Sequence, residues 1–139
     1  MQTTTNKYLI SDNKTLIQET RVFEMLTQTY FAKTRTKETI RKSIENSMCF
    51  GVYCNNIQIG FARCITDYAT TYYLCDVVID EAHRGQGLGK ALTKYITEHE
   101  SLTPIMGVLG TEDAHGLYEK YGFKHDKGMY RPPNKEPIK

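Results

Sequence analysis

The sequence contains no apolar run that approaches the roughly 20 residues that a helix needs to span a bilayer. Residues 2–7 are all polar, so the start of the sequence lacks the apolar core of a secretory signal. From these two absences we expect a cytoplasmic protein that does not associate with a membrane.

The sequence also has little excess charge of either sign. Lys and Arg number 18 and Asp and Glu number 16, which leaves a net charge of +2. Such a small value argues against a nucleic-acid partner, although a local basic face can be hidden in the sum. With 139 residues, 40% of them apolar, we expect one domain over residues 1–131. A tail over residues 132–139 contains three of the four prolines.

Metal-binding cysteine patterns are absent as well. The cysteines are Cys49, Cys54, Cys64 and Cys75, and no two of them form a Cys-x-x-Cys pair. We therefore expect no metal site. The interpretation that fits a cytoplasmic protein is four reduced, mostly buried thiols on strands.

Apolar spacing and turn residues predict the element order β-α-α-β-β-β-α-β-α-β. Strands are expected near residues 8–10 and at 49–54, 57–65, 71–79, 105–109 and from Phe123 toward Tyr130. Helices are expected at 20–31, at 37–44, from Leu88, and from a cap at Asp113 to Gly122. Thr36 is the expected cap of the second helix, and Asn55-Asn56 the turn of a hairpin. The fold class is α+β, with one mixed, mostly antiparallel sheet flanked by helices.

The most informative segment is a glycine-rich loop between the third central strand and the helix that begins near Leu88. Gly85, Gly87 and Gly89 alternate along it. Glycine lets backbone N–H groups approach a ligand closely, and the start of a helix adds unpaired N–H groups and partial positive charge. Arg84 and Lys90 add full charges. The loop therefore predicts a site for a phosphate or pyrophosphate.

Two common anion loops do not fit this spacing. The dinucleotide-binding fingerprint requires Gly-x-Gly-x-x-Gly after a parallel strand, whereas the loop reads Gly-x-Gly-x-Gly after an antiparallel meander. The nucleotide P-loop requires four residues between its glycines and Ser or Thr after its Lys. Three residues separate Gly85 from Gly89, and Ala91 follows Lys90.

The remaining pattern is Arg-x-x-Gly-x-Gly, formed by Arg84, Gly87 and Gly89. This segment resembles motif A of the GNAT N-acetyltransferase superfamily, and Leu117-Tyr118 followed by Gly122-Phe123 resembles its motif B. Together they cover about residues 49–130 and imply acetyl-CoA as co-substrate. The resemblance implies the following cofactor-binding residues: Val77, Val78, Ile79, Arg84, Gly85, Gln86, Gly87, Leu88, Gly89 and Lys90.

The same resemblance implies a direct transfer of an acetyl group to an amine. Tyr118 occupies the position of the family's general acid, which protonates the leaving thiolate. The base is less defined by the sequence. Asp76 is the first candidate, and the others are His115, Asp67, Tyr68, Glu112 or water.

The sequence departs from the family at three positions. Glu81 stands where Pro is frequent, and Thr111 or Asp113 where Asn is frequent. Phe31 stands where some relatives have Trp, which suggests a different acceptor.

Three functions are compatible with these motifs. The first is an acetyl-CoA-dependent N-acetyltransferase acting on a primary amine of a small molecule or peptide. The second is a non-catalytic acyl-CoA-binding or regulatory module. The third is a toxin-like enzyme that acetylates aminoacyl-tRNA. A homodimer is compatible with the meander edge and the tail, although no residue pattern requires one.

Overall fold

A computed structural model describes residues 2–126 and 128–133 of the chain, and it contains a six-stranded sheet with helices against both faces. The strands are β1 (Gln2–Thr5), β2 (Tyr8–Ser11), β3 (Met48–Cys54), β4 (Ile57–Thr66), β5 (Thr71–Ile79) and β6 (Met106–Val108). The helices are α1 (Glu19–Leu26), α2 (Lys37–Glu45), α3 (Leu88–Thr97) and α4 (His115–Glu119). Short 3-10 turns cover Lys14–Leu16 and Glu81–His83.

The strands lie in chain order, so each is hydrogen-bonded to its neighbours in sequence. All pairs are antiparallel except β5 with β6, which run parallel because α3 connects them. The predicted α+β class with a mixed, mostly antiparallel sheet is therefore confirmed.

The two faces of the sheet bury separate clusters of side chains. Alternate residues of a strand point to opposite faces, so Phe50 packs under α3 while Cys49 packs under α1 and α2. The four thiols all lie on strands and are free. Three are buried and Cys75 is half-buried, as predicted.

One strand was not predicted, and one predicted strand is absent. The sequence pattern gave no indication of β1, whose threonines are mostly exposed and extended because they pair with β2. Conversely, no strand follows Phe123 in the part of the chain that the structure describes. Met129 and Tyr130 are almost fully exposed there, with no partner strand to bury them.

The helix boundaries also differ in places. Thr36 caps α2 as predicted, since its hydroxyl accepts the N–H of Thr39. Asp113 does not cap α4. Its N-cap is Ala114, whose own N–H donates to the hydroxyl of Thr111. The first predicted helix, 20–31, ends at Leu26.

The two parallel strands, β5 and β6, separate after a short contact, and this separation opens a cleft beside β5. Pairing between β5 and β6 stops at Tyr73 with Val108, while β5 continues to Ile79. Near the middle of β5 the register with β4 shifts by one residue, and Asp76 there has a φ of 55°. Such a bulge bends its strand. One edge of β5 is therefore left without a strand partner beyond Tyr73.

Candidate active site

A cleft of about 930 Å³ lies along the unpaired edge of β5. It is lined by residues 28–31, Arg35, Arg63, 73–79, 83–85, 87–90, 109–111, 113–114 and 117–118. The seven residues from Tyr73 to Ile79 span about 20 Å of extended strand. The cleft thus joins the glycine loop at one end to Tyr73 and the segment between α1 and α2.

The glycine loop has the backbone geometry of an anion site. Gly85 and Gly87 have φ values of 80° and 76°, which favour glycine, and Gly87 is the N-cap of α3. A Cβ built at either position meets no atom within 4 Å, so both glycines border open space. The first N–H groups of α3 have no acceptor within the helix, which leaves them available to a ligand.

Nearly all the predicted cofactor-binding residues line this cleft together. They are Val77, Val78, Ile79, Arg84, Gly85, Gly87, Leu88, Gly89 and Lys90. Gln86 belongs to the loop but does not line the cleft. The side chain of Arg84 folds back onto the end of β5, where its Nε donates to the carbonyl of Ile79 at 3.0 Å.

Tyr118 lies on α4 and also lines the cleft. Its side chain is buried, and its ring packs edge-to-face against Phe123. The hydroxyl forms no hydrogen bond to another residue of the described part of the chain. Burial raises the pKa of Tyr118, and the negative charges of Asp113 and of an ionised Tyr30 add to the effect. The phenol therefore keeps its proton at neutral pH.

Asp76 lies in the same cleft and accepts hydrogen bonds from two guanidinium groups. Its Oδ2 is 2.6 Å from Nε of Arg63 and 2.7 Å from Nη1 of Arg35. Its side chain is only 2% exposed. Arg63 in turn donates to the hydroxyl of Ser47 at 3.1 Å. Burial opposes the charged form of Arg63, but the contact with Asp76 more than offsets it and raises the pKa of Arg63.

Arg35 and Arg63 were not predicted from the sequence. Arg35 sits among other basic residues before α2, and nothing in that stretch distinguishes it. Arg63 could have been identified, because it is a charged residue between Ala62 and Cys64 in an otherwise apolar stretch of β4.

The other candidate bases do not line the cleft. Asp67 accepts backbone N–H groups of its own turn, including that of Thr70 at 2.8 Å, and these bonds lower the pKa of its carboxyl group. The ring of His115 packs edge-to-face against that of His125, with ring centroids 4.3 Å apart. Tyr68 and Glu112 also lie outside the lining.

Comparison with known proteins identifies the family. The sequence profile described as "Acetyltransferase (GNAT) domain" matches residues 45–125, which is more than half of the chain. The chain belongs to the GNAT acetyltransferase family. The match contains both segments on which the resemblance rested, and it includes the glycine loop and Tyr118 of the GNAT domain.

The relatives of this GNAT domain are acetyltransferases. A putative GNAT acetyltransferase from Xanthomonas campestris pv. campestris is 36% identical, with a TM-score of 0.86 over 91% of this chain and 93% of that chain. Histone acetyltransferase TAP1 of Glycine max is 34% identical over 82 residues, 55% of this chain and 36% of that protein. GCN5-related N-acetyltransferase 2, chloroplastic, of Arabidopsis thaliana is 33% identical over 81 residues, 54% of this chain and 31% of that protein. The chain spans about a third of the length of these curated relatives.

Within residues 2–126 and 128–133, no group of three or more His, Cys, Asp or Glu side chains is arranged to hold a metal ion. No helix in the same part of the chain is long and apolar enough to cross a membrane.

Proposed function

We propose that the protein is an acetyl-CoA-dependent N-acetyltransferase that transfers an acetyl group directly to a primary amine of a small molecule or peptide. The observation that carries this proposal is the single cleft that joins the glycine loop, the unpaired edge of β5 and Tyr118. Family membership supports acetyl transfer. The co-substrate and the amine acceptor are our proposal.

The residues along the cleft fit the shape and charge of acetyl-CoA. Open space in front of Gly85 and Gly87 leaves room that side chains would fill. The N–H groups at the start of α3, with Lys90, would hold the pyrophosphate. The unpaired edge of β5 from Val77 to Ile79 offers backbone groups to the pantetheine arm.

When bound, acetyl-CoA would supply an acetyl group activated as a thioester. Transfer forms a C–N bond and breaks the C–S bond. Tyr118 would donate the proton of its Oη to the leaving sulfur, and the raised pKa keeps that proton in place at neutral pH. The attacking amine must be neutral, so its proton has to be taken up by a base or by water.

Asp76 stays the predicted base, and its surroundings constrain that role. Oδ2 is held by Arg35 and Arg63, so proton uptake there would break both ion pairs. The prediction that Asp76 is the base therefore requires its Oδ1 to take up the proton. The predicted domain limits, the cytoplasmic location and a homodimer also stay predictions. Pro132 and Pro133 of the predicted tail are exposed, and residues 134–139 lie outside the described part of the chain.

A thiol-release assay tests the proposed function. The protein is incubated with acetyl-CoA, with and without a panel of amines, and free thiol is measured over time. Thermal melts with acetyl-CoA report binding separately. We expect stabilisation by acetyl-CoA and thiol release that depends on an amine. Stabilisation without release for every amine contradicts the proposal and favours the non-catalytic binding module.

A further inference from the structure

Arg35 is a cleft residue with an unused hydrogen-bonding edge. It lies between α1 and α2, lines the cleft, and its side chain is 28% exposed. A guanidinium presents five N–H donors in a planar fork. Its Nη1 is bound to Asp76, whereas the Nε–Nη2 edge forms no hydrogen bond to any described residue. That edge has the geometry to bind two oxygens of one oxyanion.

A chain of contacts holds Arg35 in position. Ser47 accepts from Arg63, Arg63 donates to Asp76, and Asp76 accepts from Arg35. Because Asp76 is buried and the side chain of Arg63 is only 11% exposed, they restrict the orientation of the more exposed guanidinium of Arg35. A side chain fixed in this way loses little conformational freedom when a ligand binds.

The charges in this part of the cleft are not balanced. The guanidinium groups of Arg35 and Arg63 share one carboxylate, which leaves an excess of one positive charge next to a buried strand. Asp113, which lines the cleft near Tyr118, has the opposite sign. The cleft thus offers a cationic group for an anion and an anionic group for an ammonium ion.

An exposed aromatic pair lines the same cleft as Arg35. The rings of Tyr30 and Phe31 line the cleft with 58% and 41% of their surface exposed. Their centroids are 5.3 Å apart and their planes nearly perpendicular. These rings offer apolar contact to the part of an acceptor that lies between its charged groups.

We propose that the acceptor amine also carries an oxyanion group, a carboxylate or a phosphate, which binds the Nε–Nη2 edge of Arg35. This inference rests on the proposed function, because it assigns the substrate class of the same site. Two observations support the inference, namely the excess positive charge in the cleft and the Nε–Nη2 edge of Arg35 that binds no described residue.

Matched pairs of acceptors test the inference in the transfer reaction. The pairs are phenylalanine with phenylalaninamide, and 2-aminoethyl phosphate with ethanolamine. In the wild type we expect at least one oxyanion-bearing amine to be acetylated. Arg35→Gln should lower its kcat/KM, relative to the neutral partner, about tenfold or more, because a charge-assisted bidentate contact is lost. The quantity compared is the ratio of kcat/KM for the oxyanion-bearing amine to kcat/KM for its neutral partner. Comparing this ratio between wild type and variant cancels the different basicity of the two amines.

Two further variants separate binding from folding. Arg35→Lys keeps the charge but not the fork, and should retain part of the preference. Arg41→Gln removes an exposed arginine from α2 and should leave the ratio unchanged. A ratio that is the same in wild type and Arg35→Gln for both pairs would overturn the inference.

A binding experiment distinguishes this inference from the proposed function. The binding of N-acetylphenylalanine and of N-acetylphenylalaninamide is measured by calorimetry in the presence of CoA, together with the binding of 2-acetamidoethyl phosphate and N-acetylethanolamine. Selective binding of an oxyanion-bearing compound that is lost in Arg35→Gln supports the inference, even if no amine is acetylated. The lack of acetylation would then contradict only the transferase assignment. Equal binding of all four compounds, with neutral amines acetylated efficiently, overturns the inference and leaves the transferase assignment intact.

Discussion

The Nε of Arg63 lies 2.6 Å from Oδ2 of Asp76, at the residue where β5 carries its bulge. The φ of Asp76 is 55°, a left-handed value that costs a residue with a side chain roughly 1–2 kcal/mol relative to the right-handed region. Ion pairs to Arg63 and Arg35 hold the side chain at this position. The bend that separates β5 from β6 is thus linked to the charges in the cleft.

Replacing Asp76 with Asn should destabilise the fold. Asn tolerates a positive φ about as well as Asp, so the change mainly removes the charge. Two guanidinium groups would then lack their shared anion. We expect the free energy of unfolding to fall by about 3 kcal/mol, the lower end for a broken buried pair, because Arg35 can still reach water. Urea unfolding measures it.

The control for this variant is Glu100→Gln, which removes a carboxylate from an exposed turn and should change stability by less than about 0.5 kcal/mol. A loss below about 1 kcal/mol for Asp76→Asn would mean that water solvates both arginines.

The same variant tests the predicted base. If Asp76 takes up the proton of the amine, kcat at saturating acceptor should fall in Asp76→Asn. A rise of KM alone would assign it to positioning Arg35.

Local signals in the sequence predicted most of the central fold. The hairpin turn at Asn55-Asn56 has the positive φ values that these residues tolerate, and the apolar face of α3 has helical spacing. Thr36 caps its helix through its own side chain. In each case the residues that determine the structure are close together in sequence.

Features that depend on distant contacts were not predicted. The threonines of β1 have no apolar alternation, and they form a strand only because β2 presents a free edge. Likewise Arg35 meets Asp76 across 41 positions of the chain. The glycine loop was found because its backbone geometry is encoded locally, whereas the end of the cleft that contains Arg35 and Asp76 is assembled from separate segments.

Gly87→Arg should abolish stabilisation by acetyl-CoA. Arginine at a φ of 76° is strained, and its side chain would enter the open space in front of the loop. We expect the protein without ligand to lose roughly 1–2 kcal/mol of stability and the melting temperature to become independent of acetyl-CoA concentration. Differential scanning fluorimetry across a concentration series measures both.

The matched control is Gly116→Ala on α4, where a Cβ also meets open space but φ is helical. This variant should be as stable as the wild type or more so, and should keep its response to acetyl-CoA. A full response in Gly87→Arg would mean that the anion binds elsewhere.

Two thiols, one on β3 and one on β5, should resist alkylation in the folded protein. Burial raises the pKa of Cys49 and of Cys75 to about 11, so neither is a thiolate at pH 8. We expect iodoacetamide to label both in urea and neither under native conditions, as read by mass spectrometry. Since their pKa values are raised on folding, their contribution to stability is complete below pH 9. It should be lost as the pH rises toward 11. Rapid native labelling at pH 8 would contradict this.

Tyr118→Phe should lower turnover far more than it lowers affinity for acetyl-CoA. The ring still packs against Phe123, but the proton on Oη is gone, so we expect kcat to fall about 100-fold. In the wild type, kcat should decline only above pH 10, where the phenol with its raised pKa loses its proton. The variant should lack that decline.

Tyr121→Phe, outside the cleft lining, is the control and should keep both kcat and the pH profile. Equal kcat in wild type and Tyr118→Phe would exclude Tyr118 as the acid, because no other change in the cleft accompanies the loss of one hydroxyl.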